Sequence, residues 1–268
     1  MNLRFITIGK VDSTPLIFLH GFLGSGKDWL PIAGQLQDDC YSISPDLPGH
    51  GGSAAIGENT TYDMESVAAA VVRLTKRVKM KRSILIGYSM GGRIALYTAL
   101  KYWQRFSGLI LESASPGLVT ATEREERQAL DDQRAAELIE LGTKQFVRNW
   151  YEADLFKSLH NITEKRRELI KRRSSGDPRR LATALRYLSV GRQPSLWDKL
   201  DQLQLPVLLV VGELDNKFNR INREMAQRMS TAKLVSIENA GHNTHFDQPD
   251  KFLRHLREYI GSLASVRE

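Results

Sequence analysis

The stretch Ser83–Arg93, SILIGYSMGGR, decides how this chain is read. The apolar run Ser83-Ile84-Leu85-Ile86 has the look of a buried strand. The next five residues, Gly87-Tyr88-Ser89-Met90-Gly91, fit G-x-S-x-G, and residues 90–102 follow with a helical pattern, MGGRIALYTALKY. In that strand–turn–helix setting the motif is a tight turn that lifts a serine hydroxyl above the edge of a sheet. Small residues must flank such a turn, and Gly87 and Gly91 do. Arg93 follows one helical turn after the serine. A cation there needs a reason, because an unpaired charge near a pocket floor is expensive.

Working outward, five further runs resemble Ser83–Ser89. They are PLIFLHG (15–21), CYSISPD (40–46), GLILESA (108–114), PVLLVVGELD (206–215) and KLVSIENAGH (233–242). Short apolar runs bounded by Gly, Pro and Asp read as buried strands. Helical patterns lie between them, at 60–78 behind a Thr N-cap, at 90–102, and at 249–264 behind Pro249. Alternating strands and helices imply an α/β fold whose mostly parallel sheet is covered on both faces. The alternation breaks between 117 and 198, a stretch rich in Arg, Glu and Leu with almost no strand pattern. We expect a core from 1–116 and 199–268, and a helical cap from 117–198 above the carboxyl edge of the sheet. Ligands of open α/β sheets bind at that edge.

The bulk numbers exclude more than they assign. The 268 residues are 41% hydrophobic and 26% charged, as in a soluble globular protein. A net charge of +7 fits nucleic acid, an anionic membrane, an anionic small substrate or a solvated basic surface. The arginines are not interleaved with aromatics in any groove-reading motif, so no nucleic-acid partner is expected. Cys40 is the only cysteine, so no disulfide can form within the chain and a reducing compartment is expected. Met1–Lys10 lacks the apolar centre of a secretory signal, and no apolar run is long enough to span a bilayer. A cytoplasmic protein without a membrane partner is the expectation.

A free serine hydroxyl is a poor nucleophile and a poor base unless a histidine takes its proton. In a strand–elbow–helix fold the partners follow in the order Ser, acid, His. Asp215, ending VVGELD, and His242, in NAGHNTHF, each fall just past a strand. Asp215 would orient the imidazole, and His242 would accept the Ser89 proton. The competing reading makes Asp215 a helix cap and His242 a turn residue. His245 competes with His242 but lacks the preceding Ala-Gly turn. In HGFLGS (20–25), Gly21 allows close backbone approach, and the N–H groups of Phe22 and Met90 would form an oxyanion hole. His20 would brace that loop. The glycine-rich PDLPGHGGS (45–53) lacks the G-x-x-x-x-G-K-[ST] pattern of a phosphate loop.

Together these motifs resemble the α/β-hydrolase family over essentially the whole chain. The resemblance implies a twisted, mostly parallel sheet of about eight strands with a helical cap. Within it the sequence is similar to the 2-succinyl-6-hydroxy-2,4-cyclohexadiene-1-carboxylate synthases of menaquinone and phylloquinone biosynthesis. The matching pieces are LHGFLGSGKDW, DLPGHGGSA, GYSMGGR, ESASPGL, EREERQ, NWYEADLFKSL, RRSS, GELDNKF and AGHN, between residues 19 and 243. The residues after Gly21-Phe22 depart from the family pattern. The resemblance implies a lyase that eliminates pyruvate with no cofactor and no metal, its triad serine acting as the base. It implies a small polycarboxylate substrate, clamped by Arg93, Arg127 and Arg173, in a pocket lined by Tyr88, Trp150 and Phe156. Arg172 replaces Arg173 if the register slips by one. Lys217 also matches the family. A monomer is expected. The alternative enzyme is a serine carboxylesterase, thioesterase or C–C bond hydrolase for an anionic substrate. A non-catalytic binding protein on the same scaffold stands beside it.

Overall fold

The computed structural model describes residues 1–53, 61–159 and 163–264. Its sheet has seven strands among them: β1 (Phe5–Ile8), β2 (Thr14–Leu19), β3 (Cys40–Pro45), β4 (Ser83–Tyr88), β5 (Phe106–Glu112), β6 (Val207–Gly212) and β7 (Ala232–Ile237). The order is β1-β3-β2-β4-β5-β6-β7, with β1 antiparallel to β3 and every other pair parallel. Seven strands replace the expected eight or so. One of them, β1, was not among the six apolar runs. It is an edge strand, half-buried except at exposed Thr7, and needs no continuous apolar run. The central strands β4 and β6 are buried at every position, which is why their sequences read so plainly.

Alternate residues of each strand feed opposite faces. Ile17 and Leu19 join a cluster with helices α2 (Met64–Arg77) and α3 (Met90–Tyr102). Leu16 and Phe18 join a second cluster with Trp29 and with Phe252 and Leu256 of α9 (Pro249–Ala264). Each buried aliphatic side chain contributes roughly 1.5–3 kcal/mol relative to an exposed one. The expected Thr cap of the second helix is corrected. Thr60 lies outside the described residues, and α2 starts behind Asp63, whose carboxylate accepts the Ser66 N–H at 2.8 Å. The Ser66 hydroxyl accepts the Asp63 N–H in return at 2.9 Å.

Chain direction across the sheet reverses between β2 and β4. The connection after β2 leads outward to β3, and the one after β4 leads the other way to β5. Crevices open at such switch points, beyond the carboxyl ends of the strands. Here that places the loop after β2 beside the turn after β4. Between β5 and β6 the described chain is helical: α4 (Ala121–Trp150), interrupted at Gly142, then α5 (Thr163–Arg173) and α6 (Pro178–Tyr187). These helices hold an apolar cluster of their own, built on Leu138, Phe146, Val147, Leu181 and Leu185, which also takes in Leu23 from the loop after β2. The remaining helices are α1 (Leu30–Gly34), α7 (Asn216–Arg228) and α8 (Thr244–Asp247). No described helix is long and apolar enough to cross a membrane.

Candidate active site

Ser89 sits between β4 and α3 with φ 51° and ψ −110°, a conformation that non-glycine residues adopt only when their surroundings impose it. The surroundings are tight. A Cβ on Gly91 would come within 2.3 Å of the Leu19 carbonyl oxygen, and one on Gly87 within 2.4 Å of the Gly91 carbonyl oxygen. The Ser89 N–H donates to the Glu112 carbonyl at 2.9 Å, tying the elbow to β5. Sheet packing therefore aims the hydroxyl.

The Ser89 Oγ lies 3.0 Å from His242 Nε2, and His242 Nδ1 lies 2.7 Å from Asp215 Oδ2. Asp215 is also the N-cap of α7, its other oxygen accepting the Phe218 N–H at 3.1 Å. The capping and orienting readings of Asp215 are thus compatible, since each uses a different carboxylate oxygen. The His242 loop is held from below. Gly241 N–H donates to Asp247 at 2.7 Å, while buried Glu112 accepts the Thr244 hydroxyl at 2.7 Å and the His245 N–H at 2.9 Å. His245 itself is turned away from Ser89. Its Nδ1 bonds Glu112 at 2.6 Å and its ring stacks on Trp29 with centroids 4.1 Å apart.

The loop after β2 rests on two buried histidines. His20 Nε2 accepts the Leu47 N–H at 2.9 Å, and His50 Nε2 accepts the Leu23 N–H at 3.2 Å. An accepting Nε2 leaves the proton on Nδ1. These protons face the Gly21 carbonyl at 2.8 Å and the Pro48 carbonyl at 2.9 Å. Burial drives both rings toward the neutral form, lowering His20 to about 4 and His50 to about 3. Phe22 and Met90 line the cleft beside Ser89. Met90 opens α3, so its N–H has no partner in its own helix.

That cleft holds about 730 Å³ and brings together Phe22, Ser89, Met90, Arg93, Arg127, Trp150, Phe156, Asp215, Lys217 and His242. Arg93 donates to Gln193 Oε1 at 2.9 Å and to the Leu188 carbonyl at 2.8 Å. Burial, then the nearby Arg127 charge, lowers its pKa to about 10, so it stays a cation at neutral pH. Arg127 pairs with Asp131 at 2.9 Å, and Arg134 approaches the same oxygen at 3.4 Å. The second Asp131 oxygen accepts the Ser189 hydroxyl at 2.7 Å. Lys217 has its ammonium pKa lowered by burial first and by Arg127 second. Among the described residues neither Arg93 nor Lys217 has an ion-pair partner.

Two sequence expectations fall elsewhere. Arg173 does not line the cleft: its side chain is 3% exposed and pairs with Asp28 at 2.8 Å. It also reaches the Phe22 carbonyl at 3.4 Å. Burial favours the neutral acid at Asp28, but Arg173, with less from His20 and Arg172, holds that carboxyl below its ordinary value. Arg172 points to the same carboxylate from 3.7 Å, so a register slip would not restore a clamp. Tyr88 is buried beneath the cleft, its ring centroid 5.4 Å from that of His242. The sequence reading missed Asp131, Arg134, Ser189, Gln193 and Phe218. The spacing of Arg127, Asp131 and Arg134 on one helix was a usable signal. Gln193 had none, because its partner is 100 residues away.

Comparison with known proteins places the fold and the family. The alpha/beta hydrolase fold family matches residues 14–249. The chain is 36% identical, over 96% of its length, to the protein PHYLLO, chloroplastic, of Arabidopsis thaliana, but it spans only 16% of that protein. It is 34% identical to the 2-succinyl-6-hydroxy-2,4-cyclohexadiene-1-carboxylate synthase of Serratia proteamaculans, covering 94% of this chain and 95% of the relative. The solved structure of MenH from S. aureus superposes with a TM-score of 0.93 at 32% identity, covering 98% of this chain and 99% of that one.

Proposed function

The chain belongs to the 2-succinyl-6-hydroxy-2,4-cyclohexadiene-1-carboxylate synthase family, on the α/β-hydrolase fold, and we propose that its Ser89–His242–Asp215 set is the base of that reaction. The enzyme is a carbon–oxygen lyase. It eliminates pyruvate from 2-succinyl-5-enolpyruvyl-6-hydroxy-3-cyclohexene-1-carboxylate.

The proton to be lost is on C2, next to the succinyl ketone. Ser89 takes it while its own proton passes to His242 Nε2, and Asp215 stabilises the imidazolium. Charge builds on the ketone oxygen as the enolate forms. The N–H groups of Phe22 and Met90, which line the cleft beside Ser89, would stabilise that charge, and fixed donors suit an enolate as well as a tetrahedral oxyanion. The electron pair then moves through the ring double bond and the C5–O bond breaks. Enolpyruvate leaves, and with a proton it becomes pyruvate. The ring is left with double bonds at C2 and C4. Water is not consumed.

The observation that carries this reading is the presence beside Ser89 of two cations, Arg93 and Lys217, that have no carboxylate partner among the described residues. A plain ester would gain little from them. A substrate with three carboxylates supplies what they lack, and a guanidinium matches a carboxylate in a bidentate pair. Arg127 adds a third cation, half-compensated by Asp131, while Trp150 and Phe156 form the apolar wall. Residues 117–198 act as the cap that carries Arg127, Trp150 and Phe156 over the sheet edge. Arg173 braces the oxyanion loop from within that cap instead of touching substrate.

The test is pyruvate release from the enolpyruvyl substrate, followed by coupling to lactate dehydrogenase. The wild-type chain should release pyruvate, and Ser89→Ala should not. An enzyme that left this substrate intact while hydrolysing p-nitrophenyl esters quickly would overturn the proposal in favour of the esterase reading.

A further inference from the structure

We propose that Gln193 is a specificity-positioning residue, whose neutrality keeps the Arg93 charge available to a carboxylate of the substrate. This rests on the reading of Arg93 as a carboxylate-binding cation.

Gln193 is 1% exposed and lies in the chain after α6. Its Oε1 takes the Arg93 Nη1–H at 2.9 Å, and the Leu188 carbonyl takes an Nη2–H at 2.8 Å. Both acceptors are neutral. They fix the plane of the guanidinium without cancelling its charge. Arginine has only donors, so the amide must present its oxygen to Arg93, and the orientation of the Gln193 head group follows from that.

The consequence for the other end of the amide is unfavourable. Gln193 Nε2 is buried and has no hydrogen-bond partner among the described residues. It faces the tight turn at Gly117, where even a Cβ would stand 3.2 Å from it. An orphaned buried donor destabilises a fold. Glutamate has nearly the same shape, would accept the same Arg93 hydrogen bond, and would leave no N–H orphaned. It would also give the half-buried Arg93 cation an ion-pair partner, which it lacks among the described residues. Glutamate's second oxygen would occupy the same unpartnered position and its charge would have to be desolvated, so the two residues differ less in folding than in the charge they leave on Arg93. What glutamine preserves is the positive charge of Arg93 facing the cleft.

Arg127 shows the contrast within the same site. Its acceptor is the carboxylate of Asp131, so its charge is already partly answered. Arg93 is therefore the cation with more to gain from an anionic ligand.

The test is steady-state pyruvate release by Gln193→Glu, Gln193→Met and Arg93→Ala, each with its thermal midpoint. Gln193→Glu should still fold, and its thermal midpoint shows that any loss of activity is not loss of structure. Its KM should rise at least tenfold, more than its kcat falls. Gln193→Met removes the hydrogen bond but adds no charge, so its KM should rise less than that of Gln193→Glu. Wild-type KM in Gln193→Glu, alongside a raised KM in Arg93→Ala, would overturn the role of Gln193 and leave the Arg93 clamp standing. Wild-type KM in Arg93→Ala would remove the clamp itself. A Met variant as impaired as the Glu variant would show that hydrogen bonding, not charge, is what matters, and would also overturn the inference.

Discussion

His242 Nε2 stands 3.0 Å from Ser89 Oγ although 153 positions separate the two residues in the chain. The same imidazole bonds Asp215 through Nδ1 at 2.7 Å. The serine can therefore lose its proton to a ring whose tautomer is already set.

Asp215→Asn separates the two duties of Asp215. The Asn carbonyl can still cap α7 by accepting the Phe218 N–H. Its NH2 would then face His242 Nδ1 and force the proton onto Nε2, where it blocks acceptance from Ser89. We expect kcat to fall by about 10³-fold or more, with a nearly unchanged thermal midpoint. Pyruvate-release kinetics and calorimetry on the same preparation check both halves.

Arg93→Ala should cost more than Arg127→Ala. Arg93 has only neutral partners, whereas Arg127 is paired with Asp131. A charge-assisted bond to a substrate carboxylate contributes about 1.5–3 kcal/mol, so kcat/KM should fall roughly 10- to 150-fold for Arg93→Ala. Equal losses in the two variants would contradict this ordering.

Asp28→Ala tests the brace beneath the oxyanion loop. It would leave the Arg173 guanidinium buried without its 2.8 Å partner. Removing one member of a buried pair destabilises by about 3–5 kcal/mol. Urea denaturation should report that loss, and kcat should fall with it, because Arg173 also holds the Phe22 carbonyl. Unchanged stability would mean that the pair contributes nothing net.

The two buried histidines predict an acid limit. Their folded values, about 4 for His20 and about 3 for His50, lie below the unfolded value of 6.5. Between those limits the unfolded chain binds more protons than the folded one. The stability they contribute is therefore full above pH 6.5 and is lost as pH falls toward 4 and 3. Each should add a slope of up to about 1.4 kcal/mol per pH unit within its window. Urea midpoints between pH 7.5 and 4.5 measure it, and His50→Gln should flatten the slope.

The fold was legible where burial is complete. All six apolar runs are strands. Five are inner strands, which must be apolar along most of their length because they pack on both faces. The sixth, the edge strand β7, still shows Leu234, Val235 and Ile237 although Lys233 and Ser236 are exposed. The edge strand β1 was missed for the opposite reason. Helix α3 spans Met90–Tyr102, the range read from the sequence, since an elbow leaves no freedom in where the helix begins. The start of α2 shifted to Met64, behind Asp63, because Asp63 and Ser66, inside the pattern, cap each other.

The site was legible only in part. Ser89, Asp215 and His242 announce themselves through local context, each just beyond a strand end. The direction of a long side chain from a charged helix does not. Arg173 and Arg127 both sit in runs of like residues, yet one is sealed against Asp28 and the other lines the cleft. Sequence by itself determined the strand–elbow–helix framework and the types of residue at its strand ends, because these follow from short-range sterics and periodic burial. Tertiary structure decided which arginines keep a free charge. That depends on the acceptors brought from distant segments, Gln193 for Arg93, Asp131 for Arg127 and Asp28 for Arg173, and no local pattern encodes those meetings.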